Sequence, residues 1–191
     1  MKTKILIGVA IAVVAVLSLT VGAFAQGPQP GWGWQVQPPA AGAPLDVQTQ
    51  QALIDALNDE YHAHAFYQAV IDKFGQVAPF INILRAESVH IAAVQSLMTR
   101  YGMPIPADSY IGQVQAPATL DDALRAAVDA EKANVALYDR FTFIAQSDIQ
   151  AVFAQLRNVS QTRHLPAFEN ALSAGTSAIS QYQFFGRRWT R

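Results

Sequence analysis

The 191-residue chain has no cysteine. That absence excludes disulfides, thiolate metal sites and iron–sulfur centres, and with them any rubredoxin-type electron carrier on the chain. Charge is also sparse, at 14% of residues, with a formal net charge of −1. No basic stripe appears, which excludes the footprint of a nucleic-acid-binding protein. No segment alternates long enough to read as a strand. Glutamate is scarce as well: Glu60, Glu87, Glu131 and Glu169 are all there is, beside four histidines.

What is present begins with MKTKILIGVAIAVVAVLSLTVGAFAQ. Lys2 and Lys4 precede an apolar run that closes on Ala23-Phe24-Ala25, the layout of a secretory signal peptide cut after Ala25. The alternative is an uncleaved anchor helix, the one membrane attachment this sequence suggests. With no Cys after the run, a lipid anchor there is excluded. The expected location is therefore secreted, periplasmic or elsewhere in the cell envelope. Residues 26–45 are rich in Pro, Gly and Gln and read as an extended linker. The tail 181–191 mixes aromatics with Arg and reads as a surface for docking on the domain or a partner.

Between them, residues 46–180 carry four helical patterns. The first starts after Asp46 as N-cap and stops at Gly75. The second opens near Pro79 and ends at Tyr101, before Gly102 and Pro104. The third opens at Thr119, with Asp122 completing a capping-box-like pair, and is expected to reach about Gln146. Ser147 or Asp148 would cap the fourth, which runs to roughly Ser180. Two short links and one long one imply two antiparallel hairpins joined by a crossover. The fold class read from these lengths is all-α, the ferritin-like variant of the four-helix bundle.

The polar residues then repeat one plan in each half. Glu60 precedes Tyr67 by seven residues, and Glu131 precedes Tyr138 by seven. The second helix carries Glu87-x-x-His90; the fourth carries Gln161-x-x-His164. Residues three apart on a helix share a face. Glu131 lies 16 residues before Ser147 and His164 lies 17 after it, so the two reach one level. In the first hairpin the agreement is looser, within one or two turns. Three Glu and two His converging inside a bundle need positive charge between them, since each bare buried ion costs on the order of several kcal/mol. Glu60, Glu87, His90, Glu131 and His164 thus suggest a pair of divalent metals, because carboxylate and imidazole suit iron, manganese or zinc. The alternative is a merely polar core. His64 shares the side of Glu60 and is a second-shell candidate, as are Gln161 and, through their hydroxyls, Tyr67 and Tyr138. The alternatives are a partly exposed histidine and plain core tyrosines with satisfied hydroxyls.

These motifs resemble the ferritin-like superfamily, in particular uncharacterised rubrerythrin-related ferritin-like proteins, over about Gln48 to Leu172. The first-helix pattern is Glu60, Ala63 and Tyr67. The second is Phe80, Ile83, Glu87 and His90, followed by Arg100-Tyr101-Gly102; the fourth is His164, Leu165, Ala167 and Phe168. The resemblance implies a di-metal carboxylate site at the five Glu and His residues. The sixth ligand of ferroxidase and rubrerythrin sites would fall at Gln161, which supplies no anionic bridge. Manganese catalases, also ferritin-like, use three Glu and two His, so manganese stands beside iron. Pro166, a second departure, is expected to kink the fourth helix near His164.

The function expected is an exported oxidoreductase acting on peroxide, dioxygen or ferrous ion, with two iron or manganese ions as cofactor and zinc as the alternative. Glu87 would bridge, with Glu60 and His90 on one ion and Glu131 and His164 on the other. A non-catalytic metal-binding or storage protein, and a metal-free helical interaction module, are the competing readings. Assembly into a homo-oligomer is left open.

Overall fold

The computed structural model describes residues 44–175. The signal-like segment, most of the linker and the aromatic tail lie outside the described residues, as does the end expected for the fourth helix near Ser180. The described residues are helical with no strand, and none of their helices is long and apolar enough to cross a membrane.

Helix α1 (Val47–Phe74) starts where Asp46 Oδ1 accepts the Thr49 N–H at 2.8 Å, and it stops at Gly75. There φ is +87°, a conformation that disfavours side chains other than glycine's. After a short link with Val77 buried, α2 (Phe80–Arg100) lies along α1. Residues 101–119 carry the chain across to α3 (Leu120–Asp139), capped by the Thr119 hydroxyl, which accepts the Asp122 N–H at 3.1 Å.

Helix α3 ends seven residues before the expected Gln146. Arg140 and Phe141 close tight turns onto the carbonyls of Leu137 and Tyr138. Phe141 and Ile144 then turn into the core, a better use of this aromatic and β-branched run than an exposed helical extension. Ser147 is the first residue of α4 (Ser147–Val159), and neither it nor Asp148 serves as its N-cap. Asp148 instead accepts from Arg100 at 2.9 Å and Tyr101 at 2.8 Å, tying the end of α2 to the start of α4.

The fourth rod is not one α-helix. A π-helical turn, Ser160–His164, separates α4 from α5 (Leu165–Ala174). The Leu165 N–H reaches back to the Ser160 carbonyl, one residue further than an α-helix would. Pro166 has no N–H for the carbonyl of Thr162, and its ring would crowd that carbonyl. The widened turn lies just ahead of it.

Helix α3 packs against α4, the π turn and α5, while α1 meets α3 and α2 meets α4. Apolar layers fill both ends of the resulting interior. One contains Phe66, Val70, Phe80, Ile83, Leu124 and Phe168; the other includes Leu53, Leu57, Leu97, Ile149, Phe153 and Leu156. The polar residues occupy the level between them.

Candidate metal centre

Each rod delivers its polar residue to that middle level. Glu60 comes from α1, Glu87 and His90 from α2, Glu131 from α3, and His164 from the end of the π turn. All five are only 0–4% exposed. Glu87 is the hub: its Oε2 lies 3.0 Å from His90 Nδ1, and its Oε1 lies 3.2 Å from His164 Nδ1. Glu60 Oε2 stands 3.2 Å from His90 Nδ1, and Glu131 Oε1 stands 3.4 Å from His164 Nδ1. The two imidazoles stack at 5.3 Å between centroids.

The paired tyrosines bond crosswise. Tyr67 of α1 donates to Glu131 Oε1 at 2.7 Å, and Tyr138 of α3 donates to Glu60 Oε1 at 2.6 Å. Tyr67 packs on Phe80 and Phe168, and Tyr138 on Phe141 and Phe153, so aromatic packing fixes each hydroxyl's direction. Asn134, between Glu131 and Tyr138 on α3, donates to Asp59 at 2.7 Å and to Glu60 at 3.4 Å.

Electrostatics separate Glu60, Glu87 and the two histidines. Burial, then the charge of Glu87, raise the Glu60 pKa despite the opposing pull of His90. Burial would also raise Glu87, but the His164 and His90 imidazoles beside it prevail and hold its carboxyl down to about 2. Burial opposes charge on the rings too. Even so, Glu60 and Glu87 bring His90 up to about 10, and Glu131 and Glu87 bring His164 up to about 9. Burial first, then the neighbouring Glu131 or Glu60, push Tyr67 and Tyr138 well above 10, so both hydroxyls stay donors.

This donor set can hold metal ions. Glu60, Glu87 and His90 form one group whose ligand atoms lie within 4.8 Å of one another, and Glu87, Glu131 and His164 form a second. His164 Nδ1 is buried with no hydrogen-bond partner: the two carboxylate oxygens near it lack the alignment for one. A buried nitrogen in that position is open to a better-aligned partner or to a cation.

Not every residue singled out in the sequence joins the cluster. Gln161 is exposed and accepts from Arg157 at 2.6 Å, outside the centre. The π turn is the cause, because its wider winding separates residues 161 and 164, which would share an α-helical face. His64 is half-buried with no contact to the centre among the described interactions, whereas His62 lines a cavity leading to Glu87 and Glu131. Asp59 and Asn134 escaped the sequence reading. Asn134 was within reach of it, standing three residues after Glu131 and four before Tyr138.

The model of an uncharacterized protein domain, DUF2202, matches residues 49–183, most of the chain. The chain belongs to the DUF2202 family. The crystal structure of a hypothetical protein from Methanococcus jannaschii DSM 2661 is similar in fold, with a TM-score of 0.64 at 22% identity. That match covers 71% of this chain and 86% of the other. No curated protein matches.

Proposed function

We propose that this DUF2202 chain is an exported, ferritin-like di-metal carboxylate protein that holds two iron or manganese ions and acts on peroxide, dioxygen or ferrous ion. The observation that carries the reading is the pair of buried Glu/Glu/His groups sharing Glu87. A ferritin-like di-metal bundle takes a lone Glu from each of two helices and a Glu-x-x-His from each of the others. Here α1 and α3 supply the lone Glu, α2 supplies the full pair, and the π turn supplies His alone.

The chain's own groups have distinct tasks in this reading. Glu87, common to both groups, would be shared by the two ions, with Glu60 and His90 holding one and Glu131 and His164 holding the other. Tyr67 and Tyr138 orient Glu131 and Glu60 by donating to one oxygen of each. Three carboxylates offset three of the four positive charges of two divalent ions, so the pocket favours one further anion, such as a deprotonated peroxide. Two redox-active ions held there would supply electron transfer and Lewis acidity. Without cysteine the chain has no sulfur-ligated electron relay. That favours dismutation or ferrous-ion oxidation over a peroxidase fed through such a centre.

The test is metal content by plasma mass spectrometry after expression with both iron and manganese supplied. Two ions of either per chain, with peroxide disproportionation or ferrous oxidation, are expected. Zinc without turnover would move the reading to metal binding alone. A chain that takes up no metal would refute it.

A further inference from the structure

The five cluster residues are too buried to meet hydrated ions directly, so the metal reading requires a way in. A cavity of about 160 Å³ lies between α1 and α3. Ala63, Ala130 and Ala133 leave its walls thin, and the buried Glu87 and Glu131 form its inner end. Three polar side chains that the proposed centre does not use also line it, and their exposure falls in sequence. His62 is exposed, Asp59 is half-buried and Asn134 is 6% exposed. The lining contains no Lys or Arg.

Asn134 is the informative member. Its Nδ2 is committed to Asp59 Oδ2 and Glu60 Oε1, which fixes the amide's orientation. Its Oδ1 is then left buried with no hydrogen-bond partner, although the side chain lines the cavity. A buried acceptor in that state calls for a donor or a cation. His62 is steadied by an edge contact with Tyr110 at 5.1 Å.

We propose that Asp59, His62 and Asn134 form a capture site for divalent cations at the mouth of the centre, passing ions inward to Glu87 and Glu131. A carboxylate, an imidazole and an amide carbonyl suit hydrated first-row ions. Acidic lining in a low-dielectric cleft also concentrates cations and speeds their arrival. The inference rests on the metal reading of the inner cluster.

The experiment uses the full chain stripped of metal and mixed in stopped flow with limiting cobaltous ion, followed by its visible absorption. Wild type is compared with Asp59→Asn, His62→Ala and, as a charge control remote from the cavity, Asp121→Asn. Uptake slowed about tenfold in the first two variants, with the same two-ion endpoint and an unaffected control, is the expected result. His62 is exposed, so its variant carries the test should Asp59→Asn fold poorly. Wild-type uptake rates in both variants would overturn the capture site and leave the inner centre standing. An endpoint below two ions in either variant would place that residue in the centre itself and overturn the capture role. No cobalt in wild type would overturn both readings.

Discussion

Replacing Glu87 by Gln keeps the side chain's shape and removes its charge from between two imidazoles. In the metal-free protein one Glu87 oxygen serves His90 at 3.0 Å and the other faces His164 at 3.2 Å. A Gln offers one acceptor and one donor, so one ring must confront an NH2 group. Breaking a buried charge pair costs about 3–5 kcal/mol. Glu60 remains 3.2 Å from His90 and Glu131 remains 3.4 Å from His164, which argues for the lower end. A loss of about 3 kcal/mol is a large share of the usual 5–15 kcal/mol of a domain. With a urea slope of about 2 kcal/mol/M, the unfolding midpoint should fall by about 1.5 M. The assay is urea unfolding followed by circular dichroism, with chelator and again with saturating metal. Metal should widen the gap, since binding at one hundred times Kd adds about 2.7 kcal/mol to a competent site and little to a broken one. A metal-free variant as stable as wild type, or a gap that metal does not widen, would refute the bridging role.

The His90 and His164 pKa values, brought up to about 10 and 9 from an ordinary 6.5, set the pH dependence. A pKa raised on folding adds stability in full below 6.5 and loses it as pH climbs through 9 to 10. Metal-free protein should therefore melt lower at pH 9.5 than at pH 6.5, while metal affinity, which needs neutral rings, rises over the same interval. A flat thermal profile would count against imidazolium in the cluster. Tyr67→Phe and Tyr138→Phe each remove one hydrogen bond to a carboxylate and should weaken metal binding by about 10–100-fold, read by competition with a chromogenic chelator. Unchanged affinity in both would show that the hydroxyls do not hold the ligands. Gln161→Glu, being exposed, should leave ion count and affinity unchanged in the same assays; a tighter site would mean that the π turn rewinds.

Much of the frame was legible because its signals are local. Asp46 and Gly75 bound α1 through a side-chain acceptor and a left-handed backbone, both properties of single residues. The Glu60–Tyr67 and Glu131–Tyr138 spacings identified two residues per helix, although the crosswise bonding between them belongs to the packing. Where the reading failed, long-range burial overrode a local pattern. Phe141 and Ile144 ended α3 by turning inward, and Asp148 was drawn to Arg100 and Tyr101 instead of capping its own helix. Depth counted in helical rise agreed better at the Ser147 link than at the first hairpin. Residues 75–79 and 140–146 are not helical, so a residue count across either link does not measure depth, and the closer match at Ser147 was not a true measure of it.

Glu87-x-x-His90 and Gln161-x-x-His164 carry the same spacing, and the sequence presents them as equivalents. They are not equivalent in space, because the first is wound as an α-helix and the second as a π turn. In α2 the carboxylate and the imidazole both face the cluster. In the fourth rod only His164 does, and Gln161 turns out to Arg157. Pro166 advertised a backbone irregularity, but the choice among kink, break and widened turn depends on what α3 and α1 pack against that rod. The π turn thereby separates the roles of the two halves: one helix contributes the shared carboxylate, and the other contributes a ring alone. A centre with three carboxylates instead of four follows from that local winding as much as from the Gln at 161. Restoring the carboxylate there is for this reason expected to change nothing, unless the turn is rewound with it.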